Sequence, residues 1–503
     1  MKNTLRTTIL ITLFYVHFAA IANAANWYID PNAQGTETGT SWANAWTVFS
    51  SIVWGSSGVK AGDTLYISGG TTSQTYTTTL TVGASGVAGN PITIRPGQDV
   101  GHNGEVILDF DALGDSAVGF GINLANRKYV VVDGSVASAR KLTIKNLRNT
   151  TNRSTASAIE AGSSSYITIQ YINILNCNNG FHATYGTGYD VNNCNLSGIR
   201  GNGAISFVAS TGGWDANITH HNYIGLVWKR GMGGPDGVQI GNGVSIYNNT
   251  IRVDEVTYAT SDQHPDSVQA VGSYHKIYNN DFVNIGDSGY NGSGNYFESN
   301  PHDIWLFNNT FRIIVDVDPY PEFVRFYACG DTLTNFKVLN NAFIDNPYTT
   351  FYIRCTNAST ASGVEIRNNI WYNSGTGKYS PALDITGPGF TDASFALSNN
   401  IYYGGAYIIY LGTTYTATDW LVAHDPNSST AQPTFLSYLP RNINNNLHLS
   451  PNDTAATALG TNLSSYFTTD KDGKPSATPW DIGPYKRPSS IPQPSLFRII
   501  TAP

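Results

Sequence analysis

Six times between residues 245 and 402 the chain sets an asparagine pair in the same short frame: SIYNNTI, KIYNNDF, WLFNNTF, KVLNNAF, EIRNNIW and ALSNNIY. The frames begin 31, 29, 32, 28 and 31 residues apart. A period of that size belongs to a solenoid, a propeller or another array. Upstream, THHNYI, DVNNCNL, ITIQYINI and LTIKNL keep a looser version, with apolar anchors at Ile224, Leu196, Ile174 and Leu147.

The contents of one period choose among these architectures. Short runs such as VSIYN alternate apolar and polar residues, a strand signature, and Gly, Asn, Asp and Ser mark the joints. No stretch between them carries a long helical pattern, and a propeller blade needs about 40 residues. The reading is all-β, a parallel β-helix with coils of about 22–32 residues. Twin asparagines suit its tight corners. The residue tolerates left-handed backbone, and its amide can bond the equivalent amide one coil above and below.

Lys2 and Arg6 precede an apolar run that ends in Ala22-Asn23-Ala24, the pattern of a secretory cleavage site. The expected divisions are a signal peptide over 1–24, a β-helix domain over 25–486 and a tail over 487–503. Within the domain, a cap covers 25–100, with a short helix between 35 and 60 over the first coil. Regular coils fill 100–450 and a closing segment 451–486. The charged fraction is 13% and the formal net charge -7, so no basic stripe serves nucleic acid. Nothing after the leader is apolar and long enough to span a bilayer. Cys177 with Cys194 and Cys329 with Cys355 either bridge neighbouring coils or remain buried free thiols.

The opening WYIDPNAQGTETGTSWANAW, with AGDTLYISGG and ITIRPG, resembles the start of secreted right-handed parallel β-helix proteins of the pectate-lyase-like superfamily. WDIGPYKR near the end resembles the closing element of such chains. The resemblance implies right-handed coiling and an extracellular or periplasmic location. It leaves the activity open, because one fold hosts many.

PDGVQ at 235–239 and PDSVQ at 265–269 read as the same corner and strand on successive coils. Val238 and Val268 are their inward anchors; Phe297, Val324 and Ile353 follow, and Ile205, Phe181 and Ile159 precede. The residue after each anchor faces outward. That predicts a file of Glu160, His182, Ser206, Gln239, Gln269, Glu298, Arg325 and Arg354. A second file contains Ser267, Tyr296, Phe323 and Tyr352, and the corner before it holds Asp236, Asp266, Asn295 and Glu322. Aromatic faces flanked by polar groups suit a sugar chain. Gln239, Gln269, Tyr296, Phe323, Tyr352 and Glu322 are the expected substrate contacts.

Uronate glycans open by loss of the C5 proton beside a carboxylate. That requires a group to neutralise the carboxylate and a base. Arg325 and Arg354 suit the first task, while His264, His302 and Tyr296 can carry protons. Arg325, as an outward strand residue, is expected to carry little packing. Asp262, Asp266 and Glu298 are candidate calcium ligands, an alternative way to neutralise. NPHD at 300–303 resembles the D-P-H-D signature of mannuronan C5-epimerases; His302 and Asp303 match, and Asn300 departs from it.

Glu298, Arg325, Arg354, His264, His302 and Asp303 are therefore the candidate catalytic residues of a secreted, monomeric lyase or epimerase acting on an acidic polysaccharide. Two alternatives stand beside it. One is a non-catalytic carbohydrate-binding surface protein. The other is a glycoside hydrolase pairing Asp266 with Glu298, or Glu298 with Glu322.

Overall fold

The computed structural model describes residues 24–150, 152–228, 235–256, 265–283, 293–298, 302–314, 322–327, 332–346, 349–355, 360–375, 381–404, 407–476 and 478–488. The expected signal peptide and tail lie almost wholly outside them, as do His264, Asp262, Asn300 and Cys329.

Each coil contributes one short strand to each of three sheets, of 14, 12 and 13 strands, here sheets I, II and III. All pairings between coils are parallel, for example Ser245–Tyr247 on Lys276–Tyr278. The chain winds as a right-handed parallel β-helix. One coil runs from Val244–Tyr247 in sheet I through Thr250–Val256 in sheet II to Val268–Val271 in sheet III.

Like stacks on like inside. Ile246, Ile277, Leu306, Val338, Ile366 and Leu397 lie in register along sheet I. In sheet II the rings of Phe282, Phe311, Phe343, Trp371 and Tyr402 stack with centroids 4.6, 5.0, 5.2 and 5.0 Å apart. Burial of such columns is the main stabilising term, at about 1.5–3 kcal/mol per large side chain.

The asparagine pair divides its labour at the corner between sheets I and II. The first residue takes the left-handed backbone, with φ of 55° at Asn248, 57° at Asn279 and 54° at Asn308. The second builds a buried ladder through Asn222, Asn249, Asn280, Asn309, Asn341, Asn369 and Asn400. From Asn249 onward each Oδ1 accepts from the backbone N–H and the amide of the coil before, as Asn280 does from Asn249 at 3.0 and 3.1 Å. Each Nδ2 also donates to a backbone carbonyl, as Asn280 does to Ile246 at 2.9 Å. Upstream the register pairs Ile174 with Ile144, so Ile144, and not Leu147, is the anchor of that coil.

At the N-terminal end, Asn26–Ile29 already pairs with Thr64–Ile67. The segment where a short helix was expected forms one 3-10 turn, Phe49–Ser51. At the far end the helix Ala417–Ala423 follows the last coil and buries Trp420. The chain then returns along the outside of sheet II. There Phe435, Leu447, Leu449 and Ile482 cover Ile344, Ile370, Tyr372 and Ile401. WDIGPYKR thus lies along the flank, with Trp480 packed beside Phe307, Leu339 and Phe467.

Cys177 and Cys194 are buried free thiols, which excludes the bridge between them; burial pushes both up to about 12. Cys355 is disulfide-bonded, and Cys329, its expected partner, lies outside the described residues. Among the described residues no helix is long and apolar enough to cross a membrane.

Candidate functional site on the outer face of sheet III

The outward file of sheet III runs Glu160, His182, Ser206, Gln239, Gln269, Tyr296, Arg325, Tyr352, Asp384. Up to Gln269 this is the expected order. Beyond it the register slips by two. Phe297 pairs with Ala270 instead of Val268, and Ile353 pairs with Phe326 instead of Val324. Tyr296 and Tyr352 therefore take the positions expected for Glu298 and Arg354. Those two stand in the neighbouring outward file, opposite Val271 and Thr386. Most of these strands carry two inward residues, so an apolar pattern of period two cannot distinguish a shift of two.

Hydrogen bonds link the file along the helix axis. Ser206 Oγ donates to Gln239 Oε1 at 3.2 Å, and Gln239 Nε2 donates to Gln269 Oε1 at 3.0 Å. Gln269 Nε2 in turn donates to Glu298 at 3.3 Å. Gln239 also donates to Asp236 at 2.8 Å, and Asp236 accepts from the Asp266 backbone at 3.0 Å.

Arg325 forms the middle of a sandwich. Its guanidinium lies 5.8 Å from the Tyr296 ring centroid and 5.6 Å from that of Tyr352, within cation–π range. Its Nη1 is 3.2 Å from Glu322 Oε2. The residue is 9% exposed, so the expectation that it carries little packing is corrected. Arg354 differs: its side chain is 49% exposed and its guanidinium sits 5.2 Å from Tyr352. Its Nε and Nη2 donate to Asp384 at 3.4 and 3.0 Å.

Glu322 is the electrostatic centre. Burial pushes its carboxyl up to about 7; the Arg325 cation opposes this, and the charges of Asp266 and Asp384 add to it. Burial likewise raises Asp384, against the pull of Arg354. Phe323 is corrected from an outward contact to a core residue. It is fully buried, 5.5 Å from the Phe311 ring and 6.2 Å from Phe343. Strand alternation fails there because the chain is already bending into the corner. Earlier coils fill the equivalent corner with Gly180, Ala204, Gly237 and Ser267, and an added Cβ at Gly237 would meet Ile251 at 2.7 Å.

The histidine candidate is set apart. His302 opens the sheet I strand His302–Phe307, whereas the outward file belongs to sheet III. Its Nδ1 is 2.8 Å from Asp303 Oδ2, and its ring meets Tyr274 edge-on at 5.3 Å. Asp303 has φ of 56° and accepts from Asn335.

The expected carboxylate groupings also come apart. Ser293 pairs with Glu322, and Glu298 lies five residues further along that strand, about 16 Å away. That separates Glu298 from Glu322 and from Asp266. Among the described residues no group of three or more His, Cys, Asp or Glu is placed to hold a metal ion.

Asp384 is the site residue that the pattern missed, although PALDIT alternates as an outward Asp requires. Glu160 and His182 also join. His182 Nδ1 lies 2.8 Å from Glu160 Oε2, whose other oxygen accepts from the Gly162 N–H at 3.0 Å.

No protein-family model matches the chain, and no curated protein matches it. Solved structures match in fold. XylC, in complex with xylose, is 9% identical with a TM-score of 0.53, covering 92% of this chain and 99% of that one. Pectate lyase Pel9A is 14% identical with a TM-score of 0.50, covering 93% and 98%. An alginate lyase from Paenibacillus sp. str. FPU-7 is 14% identical with a TM-score of 0.38, covering 64% and 91%. At these identities the first two show a shared fold, the parallel β-helix.

Proposed function

We propose that the protein is an exported enzyme that cleaves a uronate-containing polysaccharide by β-elimination, with the glycan lying along the outward file of sheet III. The observation that carries this reading is Glu322. It is a carboxyl raised to about 7 beside Arg325 at the edge of the aromatic track, with the half-exposed Arg354 one coil on and five residues further along the strand. A proton carrier near the working pH suits abstraction at C5. Arg354, half-exposed and bonded to Asp384 and Tyr352, is the cation that would meet the substrate carboxylate and the enolate formed from it.

In the step proposed, Glu322 takes the C5 proton and the electron pair is held in the enolate of the substrate carboxylate. The pair then forms the C4–C5 double bond as the C4–O bond breaks, and the departing oxygen receives the proton from Glu322. Two fold neighbours, a pectate lyase and a protein crystallised with xylose, support a carbohydrate substrate. Epimerisation shares the first step and differs in returning the proton to C5.

The test is incubation with pectate, alginate and glycosaminoglycans while following the absorbance of unsaturated ends. Turnover should rise as pH passes up through about 7, where Glu322 ionises. Glu322→Gln should lower it about 100-fold or more. A second reading, hydrolysis, has one observation in its favour. Asp266 lies on the Glu322 column two coils before it, about 10 Å away at the backbone. New reducing ends without unsaturation would establish that reading and overturn elimination.

A further inference from the structure

The outer face of sheet II carries a second polar site, walled by the returning C-terminal segment. Phe282 and Phe311 stack inside the helix, so their neighbours Asp281 and Arg312 point outward. With Asn445, Asn446, His448 and Tyr485 of the returning segment they line a cavity of about 300 Å³. That is the lower end of the range for small-molecule sites, with room for one sugar ring and not for a chain.

Its charges do not balance. Lys471 Nζ is buried 3.7 Å from Asp281 Oδ1 and has no hydrogen-bond partner. Arg312 donates Nη1 to the Ile443 carbonyl at 3.1 Å, and its buried Nε has no partner either. His448 has an oxygen acceptor at each ring nitrogen, Asn446 Oδ1 at Nδ1 and Asp472 Oδ2 at Nε2, the latter 2.7 Å away. Asn446 Oδ1 also accepts from the His448 backbone N–H at 3.1 Å, which fixes it as the oxygen of that amide. Only the doubly protonated, cationic ring donates to both. Asp472 is shared with Lys474 Nζ at 2.9 Å, and Asp470 is turned to the backbone N–H groups of Lys474 and Lys486. Arg312, Lys471, Lys474 and His448 therefore outnumber Asp281, Asp472 and Asp470. Buried cationic donors that lack acceptors mark a place for an anion.

Charge alone would suit any small anion, and the rest of the wall narrows the choice. Asp281 would repel a bare oxyanion beside it but accepts from a hydroxyl. The Asn446 amide nitrogen and Tyr485 add donors, and the Tyr485 ring, stacked on His448 at 4.1 Å, adds a flat apolar surface. A neutral sugar would meet the hydroxyl partners and leave the cations unanswered. Resting on the uronate reading for the kind of acid, we infer that this cavity binds a single sugar-acid unit. Its carboxylate would lie towards Arg312 and its hydroxyls towards Asp281 and Asn446, on a wall separate from the sheet III track.

The experiment is calorimetric titration of the full chain with galacturonate, glucuronate, the neutral galactose and glucose, and acetate. One of the uronates should bind about tenfold or more tighter than its neutral counterpart and than acetate. Arg312→Gln should weaken that uronate about tenfold or more. Asn446→Asp keeps the oxygen that His448 uses and adds a negative charge at an exposed position, so it should weaken the uronate likewise while sparing the neutral sugar. Arg354→Met, on the sheet III track, should leave the uronate's affinity unchanged. Neutral sugar or acetate binding as tightly as either uronate would overturn the inference, as would an affinity that survives both Arg312→Gln and Asn446→Asp. Loss of binding in Arg354→Met would overturn it too, by moving the uronate to the track. The elimination reading fails separately: uronate binding that Arg312→Gln removes, with no unsaturated product from any acidic glycan, would sink that reading and leave the cavity assigned.

Discussion

Asn295 sits where its neighbours in register are Val268 and Val324, facing the core. It is fully buried, and neither its Oδ1 nor its Nδ2 has a hydrogen-bond partner. Leaving a buried amide unpaired costs on the order of 1–3 kcal/mol. Asn295→Val should therefore stabilise the fold by about 1–2 kcal/mol, read as a higher urea midpoint at unchanged slope. A lower midpoint would show that the amide has work not visible in its contacts. The same residue explains the slip in register. A polar side chain at an inward position makes Phe297 look like that coil's first anchor, when Phe297 is the second of two inward positions.

Among the elements, the corners between sheets I and II were the most legible in the sequence. Twin asparagines at a period near 30 state both the left-handed turn and the ladder, because few other residues do either. Asn309 accepts from the Asn280 backbone and amide at 3.0 Å each, and donates to the carbonyls of Ile277 and Phe307 and to Asn341. Asn309→Ala would strand several of these groups away from water, so a loss of about 3 kcal/mol or more is expected in denaturant unfolding. Asn248→Gly, at the half-buried first position, should cost far less, since glycine keeps the left-handed backbone. The candidate site was legible only in part. Gln239, Gln269 and Arg325 follow from strand alternation, but Asp384 and the true places of Tyr296, Glu298, Tyr352 and Arg354 depend on register. Register is fixed by contacts between coils that a period of two cannot encode. Phe323 was misplaced for a different reason, the bend of the chain at the corner.

At the scale of the whole molecule, the returning C-terminal segment anchors Lys471 in a buried position, with Nζ 3.7 Å from Asp281 Oδ1. Burial lowers that amine from its ordinary 10.5 to about 8. Below about 8 both folded and unfolded chains carry the proton. Between about 8 and the ordinary value only the unfolded chain binds it, so this group makes stability rise with pH across that window. Relative to Lys471→Met, the unsubstituted protein should gain on the order of 2 kcal/mol between pH 8 and 10. Parallel pH profiles for the two would show that the amine is not buried in solution.

That segment also bonds to the coils it passes, at Asn399, Asn368, Asp345, Arg312 and Asn308. A stack of coils ordinarily unzips from either end, one turn at a time. Here the last turns are laced to earlier ones by their own continuation, so they cannot peel off singly. Mechanical or thermal unravelling should begin at the opposite end, near Asn26, and reach Glu322 and Arg325 only after the early coils have gone.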